Sequence, residues 1–124
     1  MNVIEQARRA YAPTQAFTRT ERSVEAQLMS QNTARLRAAA HSKNTNFPAF
    51  ASAIYDNRRM WTTLAIDVAD NDNGLPKELR AQIFYLARFT EEQSRKVLRG
   101  EASAEALIEI NTAVLRGLNG QGAA

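Results

Sequence analysis

The densest group of cation-seeking oxygens in the chain is Asp67-Val-Ala-Asp70-Asn-Asp72-Asn-Gly74, where carboxylates and amides surround a turn glycine. Those are the donors a hard cation such as calcium takes. An EF-hand loop needs ligands at alternate positions, and starting from Asp67 or from Asp70 that alternation fails. The run reads instead as the end of a helix closed by Asx turns. His41 is the one histidine and there is no cysteine. A histidine-based zinc site or a Ser-His-Asp triad would rest on a single residue beside a loop, and thiolate chemistry has no carrier. The glycine run Gly117-Leu-Asn-Gly120-Gln-Gly122 has no helix after it and so cannot cradle a phosphate. No catalytic arrangement, metal site or cofactor is expected, and the chain reads as one that acts by binding.

Two residues stand out as binding elements. Trp61 is the single tryptophan; on a helical stripe it is a core residue, and the alternative is an exposed anchor of the kind enriched at binding hot spots. In Asn57-Arg58-Arg59, Arg58 falls near the apolar stripe and Arg59 projects away from it. Arg58 is thus placed to pair inside or at the rim of a groove, with its stem on apolar surface.

Helices must position these residues. Helix-period signals recur from about residue 18, with no convincing strand, low-complexity tract or internal repeat. Residues 1–17 open on a helical turn around Val3 to Arg9 and reach Pro13, which denies a donor and discourages helix before it. This segment is expected to lie as an irregular or short helical cap on the body. Thr18-Arg-Thr-Glu21 has the form of a capping box, and a helix from there to about Ala40 carries Val24, Leu28, Leu36 and Ala39 or Ala40 on one stripe, interrupted by Asn32. Pro48 suits the first position of the next helix. Its stripe runs Phe47, Phe50, Ile54, Asn57 or Arg58, Trp61, Leu64 or Ala65, and Val68. After the Asp-rich turn and Leu75-Pro76, a third helix carries Leu79, Ile83, Leu86 and Val97 on one side with Tyr85 and Phe89 on another, and Gly100 stops it. Ser103 can cap a fourth, with Leu107, Ile110, Val114 and Leu118 on its apolar face. Short connectors place successive helices side by side. The expected fold is all-α, a small antiparallel four-helix bundle in a single domain spanning 1–124, with 1–17 as a cap segment and 118–124 as a flexible tail.

Composition agrees with that reading. The chain has 124 residues, 44% of them hydrophobic and 23% charged, enough for one core and too little for two. The formal charge of +3 is concentrated early: residues 1–43 carry seven Lys or Arg against three Glu. A basic surface recruits phosphates, but thirteen of the sixteen basic residues are Arg, whose planar fork suits carboxylates and aromatic faces equally. Lack of cysteine is compatible with a reducing compartment. The N-terminus is charged throughout and unlike a secretory signal, and no stretch approaches the roughly 20 apolar residues of a spanning helix. A cytoplasmic protein without membrane insertion is expected.

The run Asn57-Arg58-Arg59-Met60-Trp61-Thr62-Thr63-Leu64-Ala65-Ile66-Asp67-Val68-Ala69-Asp70, followed by Asn73-Gly-Leu75-Pro76-Lys-Glu-Leu79-Arg80-Ala81-Gln82, resembles the flagellar biosynthesis regulator FlaF family of alphaproteobacteria. Val97-Leu98-Arg99-Gly100 and the stretch Leu107 to Gly117 fit the same family, and Ala10-Tyr11 and Arg22 to Leu28 fit it more loosely. The resemblance covers nearly the whole chain.

It implies a helical protein needed for flagellin production and export that acts with the flagellin regulator FlbT. The resemblance further implies binding of flagellin subunits, as a secretion chaperone would bind them, and coupling of unassembled flagellin to translation of its message. Flagellin's terminal segments form amphipathic helices, which a holder covers most simply by helix-in-groove contacts. Arg58, Trp61, Leu64, Asp67, Asn73, Leu75 and Arg80 are the motif positions near which a partner surface is expected. Tyr11 and Phe17 are expected to lie in the groove and to be displaced. The competing expectations are direct binding of flagellin mRNA through Arg19, Arg22, Arg35, Arg37 and Lys43, and a role confined to adapting FlbT.

Overall fold

The computed structural model describes the backbone of residues 2–10, 19–70, 72, 74 and 76–118, and their side chains except those of 8–10, 19–25, 117 and 118. Five helices make up the described chain: α1 (Val3–Ala10), α2 (Arg19–His41), α3 (Phe47–Ala69), α4 (Lys77–Leu98) and α5 (Glu105–Leu118). Thr18 of the predicted capping box and the tail beyond 118 lie outside the described residues, as do the expected contact residues Tyr11, Phe17, Asn73 and Leu75.

Local chemistry explains the helix ends. Asn46 caps α3, its side-chain oxygen accepting the Ala49 N–H at 3.2 Å, so Phe47 is the first helical residue and Pro48 the second. Proline at either position sacrifices a donor with no partner inside the helix. At the other end Asp70 turns the chain out, and its carboxylate accepts the Asp72 N–H at 2.9 Å in an Asx turn. Among the described residues no cluster of potential metal-binding side chains occurs. Gly100 stops α4 with φ of 77°, the Glu101 N–H reaching the Lys96 carbonyl at 2.8 Å and the Gly100 N–H reaching that of Val97 at 3.1 Å. This pair of bonds is a Schellman motif, and its left-handed residue is glycine because a side chain is strained there. Ser103 accepts the Glu105 N–H at 3.3 Å at the start of α5.

The interior has two apolar clusters. One holds Leu36, Phe50, Ala53, Ile54, Val97, Ala104 and Leu107. The other holds Met29, Met60, Trp61, Leu64, Val68, Ile83, Leu86, Ile110 and Val114, together with Ala7 of α1. Between them along α2, α3 and α4 come buried polar residues, Thr33, Asn57, and Thr90 with Ser94, and on α5 the buried Asn111 directly follows Ile110, that helix's first residue in the second cluster. The order in which each helix meets the clusters alternates, so the four long helices run up, down, up, down. α3 packs between α2 and α4, and α2 closes on α5. α4 and α5 touch little, and α1 fills the gap between them. The N-terminal segment, expected as a cap, therefore contributes a fifth stave through α1, and its residues 11–17 lie outside the described residues.

One stripe differs from the sequence expectation. On α2 the buried face is Met29, Thr33 and Leu36, while Leu28 is 48% exposed. Residues four and seven apart share a helix face, and the face carrying Leu36 also carries Met29, which turns Leu28 outward. On α3, Asn57 is the buried member of the Asn57 and Arg58 pair.

Candidate functional site

Arg58 is the hinge pin of one face. From α3 its Nε donates to Glu91 Oε2 on α4 at 3.0 Å, and its Nη2 donates to the other carboxylate oxygen. Arg95, one turn on, donates to the same Oε1 at 3.3 Å. The fork of hydrogen bonds from Arg58 holds the Glu91 carboxyl below its ordinary range against the opposing effect of partial burial, and Arg58 is raised in return. Glu91 thus clamps α3 to α4 along their shared seam.

Next to that clamp the seam opens into a furrow of about 750 Å³. Its walls carry Ile66 from α3 and Phe84 and Tyr85 from α4, at 65%, 43% and 48% exposure, with Ala65, Ala69 and Phe89 completing them. Large apolar side chains exposed side by side are uncommon on a monomer and mark a place where something docks. Charged residues of both signs from α4, Arg88 and Arg95 with Glu91 and Glu92, also line it.

A second groove of about 410 Å³ runs between α2 and α3. Arg35 and Asp56 pair across it at 2.6 Å, and Asn32 Nδ2 donates to the Met60 sulfur at 3.3 Å. Leu28, Leu64 and Asp67 line it.

The expected contact residues are therefore distributed over the molecule. Leu64 and Asp67 share the α2/α3 groove, with Leu64 largely buried. Arg58 lies on the α3/α4 seam. Arg80, at the start of α4, donates from Nη1 to the Asp70 carbonyl at 3.1 Å and so satisfies the end of α3. Trp61 is interior, at 1% exposure, its Nε1 donating to Asn111 Oδ1 at 2.9 Å while Asn111 Nδ2 donates to Asn57 Oδ1 at 2.7 Å. Trp61 presents no surface to a partner because its apolar area and its one donor are both satisfied inside. Arg58, Trp61 and Arg80 each bond between or at the ends of helices and hold the bundle together, Leu64 and Asp67 share the α2/α3 groove, and none of these five lines the exposed apolar furrow. The second side of α4 read from the sequence, Tyr85 and Phe89, lies in this furrow, and Ile66 and Phe84 join it as large apolar residues off the core stripes.

Of the basic residues expected to track phosphates, Arg35 pairs with Asp56, and the side chains of Arg19 and Arg22 lie outside the described residues. Lys43 lies 5.8 Å from the Phe50 ring. Among the described residues no helix is long and apolar enough to cross a membrane.

No curated protein and no solved structure matches this chain. The model of the family described as flagellar protein FlaF matches residues 7–118, from the fully buried Ala7 of α1 to the end of α5. The chain belongs to the flagellar protein FlaF family.

Proposed function

We propose that this chain is a non-enzymatic, cytoplasmic holder of flagellin, working as a secretion chaperone that couples flagellin export to translation together with FlbT. The observation that carries the reading is the open α3/α4 furrow, in which Ile66, Phe84 and Tyr85 remain uncovered in a protein of a flagellar family. A furrow of that kind takes the apolar face of an amphipathic helix, with anchors at three- and four-residue spacing. Burying a large apolar side chain there contributes roughly 1.5–3 kcal/mol before the entropy of association is charged against it. The charged lining, with two cations and two anions, sets register more than strength.

Titration of monomeric flagellin against the wild-type chain and against Ile66→Ser with Tyr85→Ser tests this. Because both side chains lie outside the two core clusters, Ile66 mostly exposed and Tyr85 about half exposed, the double variant keeps its fold, and its affinity is expected to fall by about tenfold or more. Equal affinity of the two proteins would remove the furrow from the reading, and no binding by either would remove flagellin.

A further inference from the structure

α1 takes a place that four long helices would otherwise close among themselves. α4 and α5 are consecutive in the chain, joined by residues 99–104, yet they touch little, and the eight residues of α1 lie against both. Ala7 is fully buried in the cluster that holds Ile83, Leu86, Ile110 and Val114, with Val3 and Ile4 partly covered beside it.

Three features make this stave separable. Isolated helices shorter than roughly 12–15 residues are marginal in water, so α1 owes its form to its seat. Its described side-chain hydrogen bond, Asn2 Oδ1 accepting the Glu5 N–H at 2.7 Å, is internal to the helix start, and among the described side chains none bonds or ion-pairs α1 to α4 or α5. The four long helices also remain linked without it, through α2 on α5, α3 on α2 and α4 on α3.

We propose that α1 is an internal occupant of a helix-docking slot between α4 and α5, displaced by an apolar helix of flagellin. The inference rests on the flagellin reading above and adds its regulation. The furrow on the α3 side of α4 is always open and receives the partner first; the slot on the α5 side opens when α1 leaves. Ala7 states what the slot accepts: a small residue at the closest approach, with β-branched residues three and four positions before it, as Ile4 and Val3 are here. Departure of α1 takes Ala7 out of the cluster that holds Ile83, Leu86, Ile110 and Val114 and leaves an apolar gap that another helix must cover.

Hydrogen exchange of the full-length chain with and without excess monomeric flagellin reads the displacement directly. Amides of α1 are expected to lose protection on binding while those of α4 and α5 keep theirs. Ala7→Asp puts a charge into the buried seat and unseats α1; the variant is expected to bind flagellin more tightly, by the reciprocal of the fraction of wild-type chains whose slot already stands open. Ala7→Gly weakens the seat more gently and moves affinity the same way by less, which decides the matter should Ala7→Asp fail to fold. Glu5→Ala, exposed and outside the seat, leaves affinity unchanged. Flagellin bound with α1 protection intact, or Ala7 variants that fold and bind no tighter, would overturn the displacement and leave the holder function standing. Absence of flagellin binding to every variant would overturn both.

Discussion

Trp61 on α3 and Asn111 on α5 meet in the interior, the indole Nε1 donating to the amide oxygen at 2.9 Å, and Asn111 passes the contact on to Asn57 at 2.7 Å. All three are buried. The chain of bonds crosses the bundle at the polar level separating the two apolar clusters, so it aligns α3 and α5 at one height. A buried polar group that can be satisfied in only one alignment favours that alignment over slipped ones. Asn57 Nδ2 is left without a hydrogen-bond partner, which makes the arrangement sensitive to any further loss.

Asn111→Ala strips the acceptor from Trp61 and the donor from Asn57 at once. Each orphaned buried group costs about 1–3 kcal/mol, so a loss of several kcal/mol is expected by urea denaturation, along with a shift in Trp61 emission. A variant within about 0.5 kcal/mol of wild type would show that the bonds contribute no stability.

Glu91 gives the stability a pH dependence of known sign. Its folded carboxyl is held below the ordinary range, chiefly by the hydrogen bonds from Arg58. The contribution is present above the unfolded carboxyl range, near pH 4.3, and is lost as pH falls through the lower folded value. Both heads are about a third exposed, so the pair is worth less than about 1 kcal/mol. Comparing wild type with Glu91→Gln across pH 7 to 3 should show a small gap at neutral pH that closes in acid; a gap that widens in acid contradicts the clamp.

Gly100 has φ of 77° and open space where a Cβ would go. Gly100→Ala therefore meets backbone strain without a clash and should cost about 1–2 kcal/mol. A neutral result in thermal unfolding would mean that the Schellman end of α4 relaxes freely.

Salt separates the protein partner from the nucleic-acid alternative. An apolar furrow holding flagellin should lose little affinity between about 50 and 200 mM salt, whereas several phosphate contacts lose orders of magnitude over that range. Fluorescence anisotropy with labelled flagellin and with its message, at both salts, checks this; tight, steeply salt-dependent RNA binding with salt-independent absence of flagellin binding would reverse the assignment.

Much of the fold follows from local chemistry written in the chain. The spacing of Phe50, Ile54, Trp61 and Val68 makes α3 an amphipathic helix with a long apolar stripe, and Gly100 and the Asp-rich turn end helices through backbone geometry that needs no partner. The match to residues 7–118 carries the same information at the level of family. Tertiary structure alone decided the remainder. A periodic stripe states which residues can share a face but leaves open which of two faces meets another helix, so Leu28 and Met29 were interchangeable until α3 and α5 packed on α2. Trp61 could have been an anchor until Asn111, fifty residues away, supplied its acceptor. Likewise Val3, Ile4 and Ala7 describe a marginal helix on their own; the gap between α4 and α5, which no local spacing encodes, is what makes it a stave.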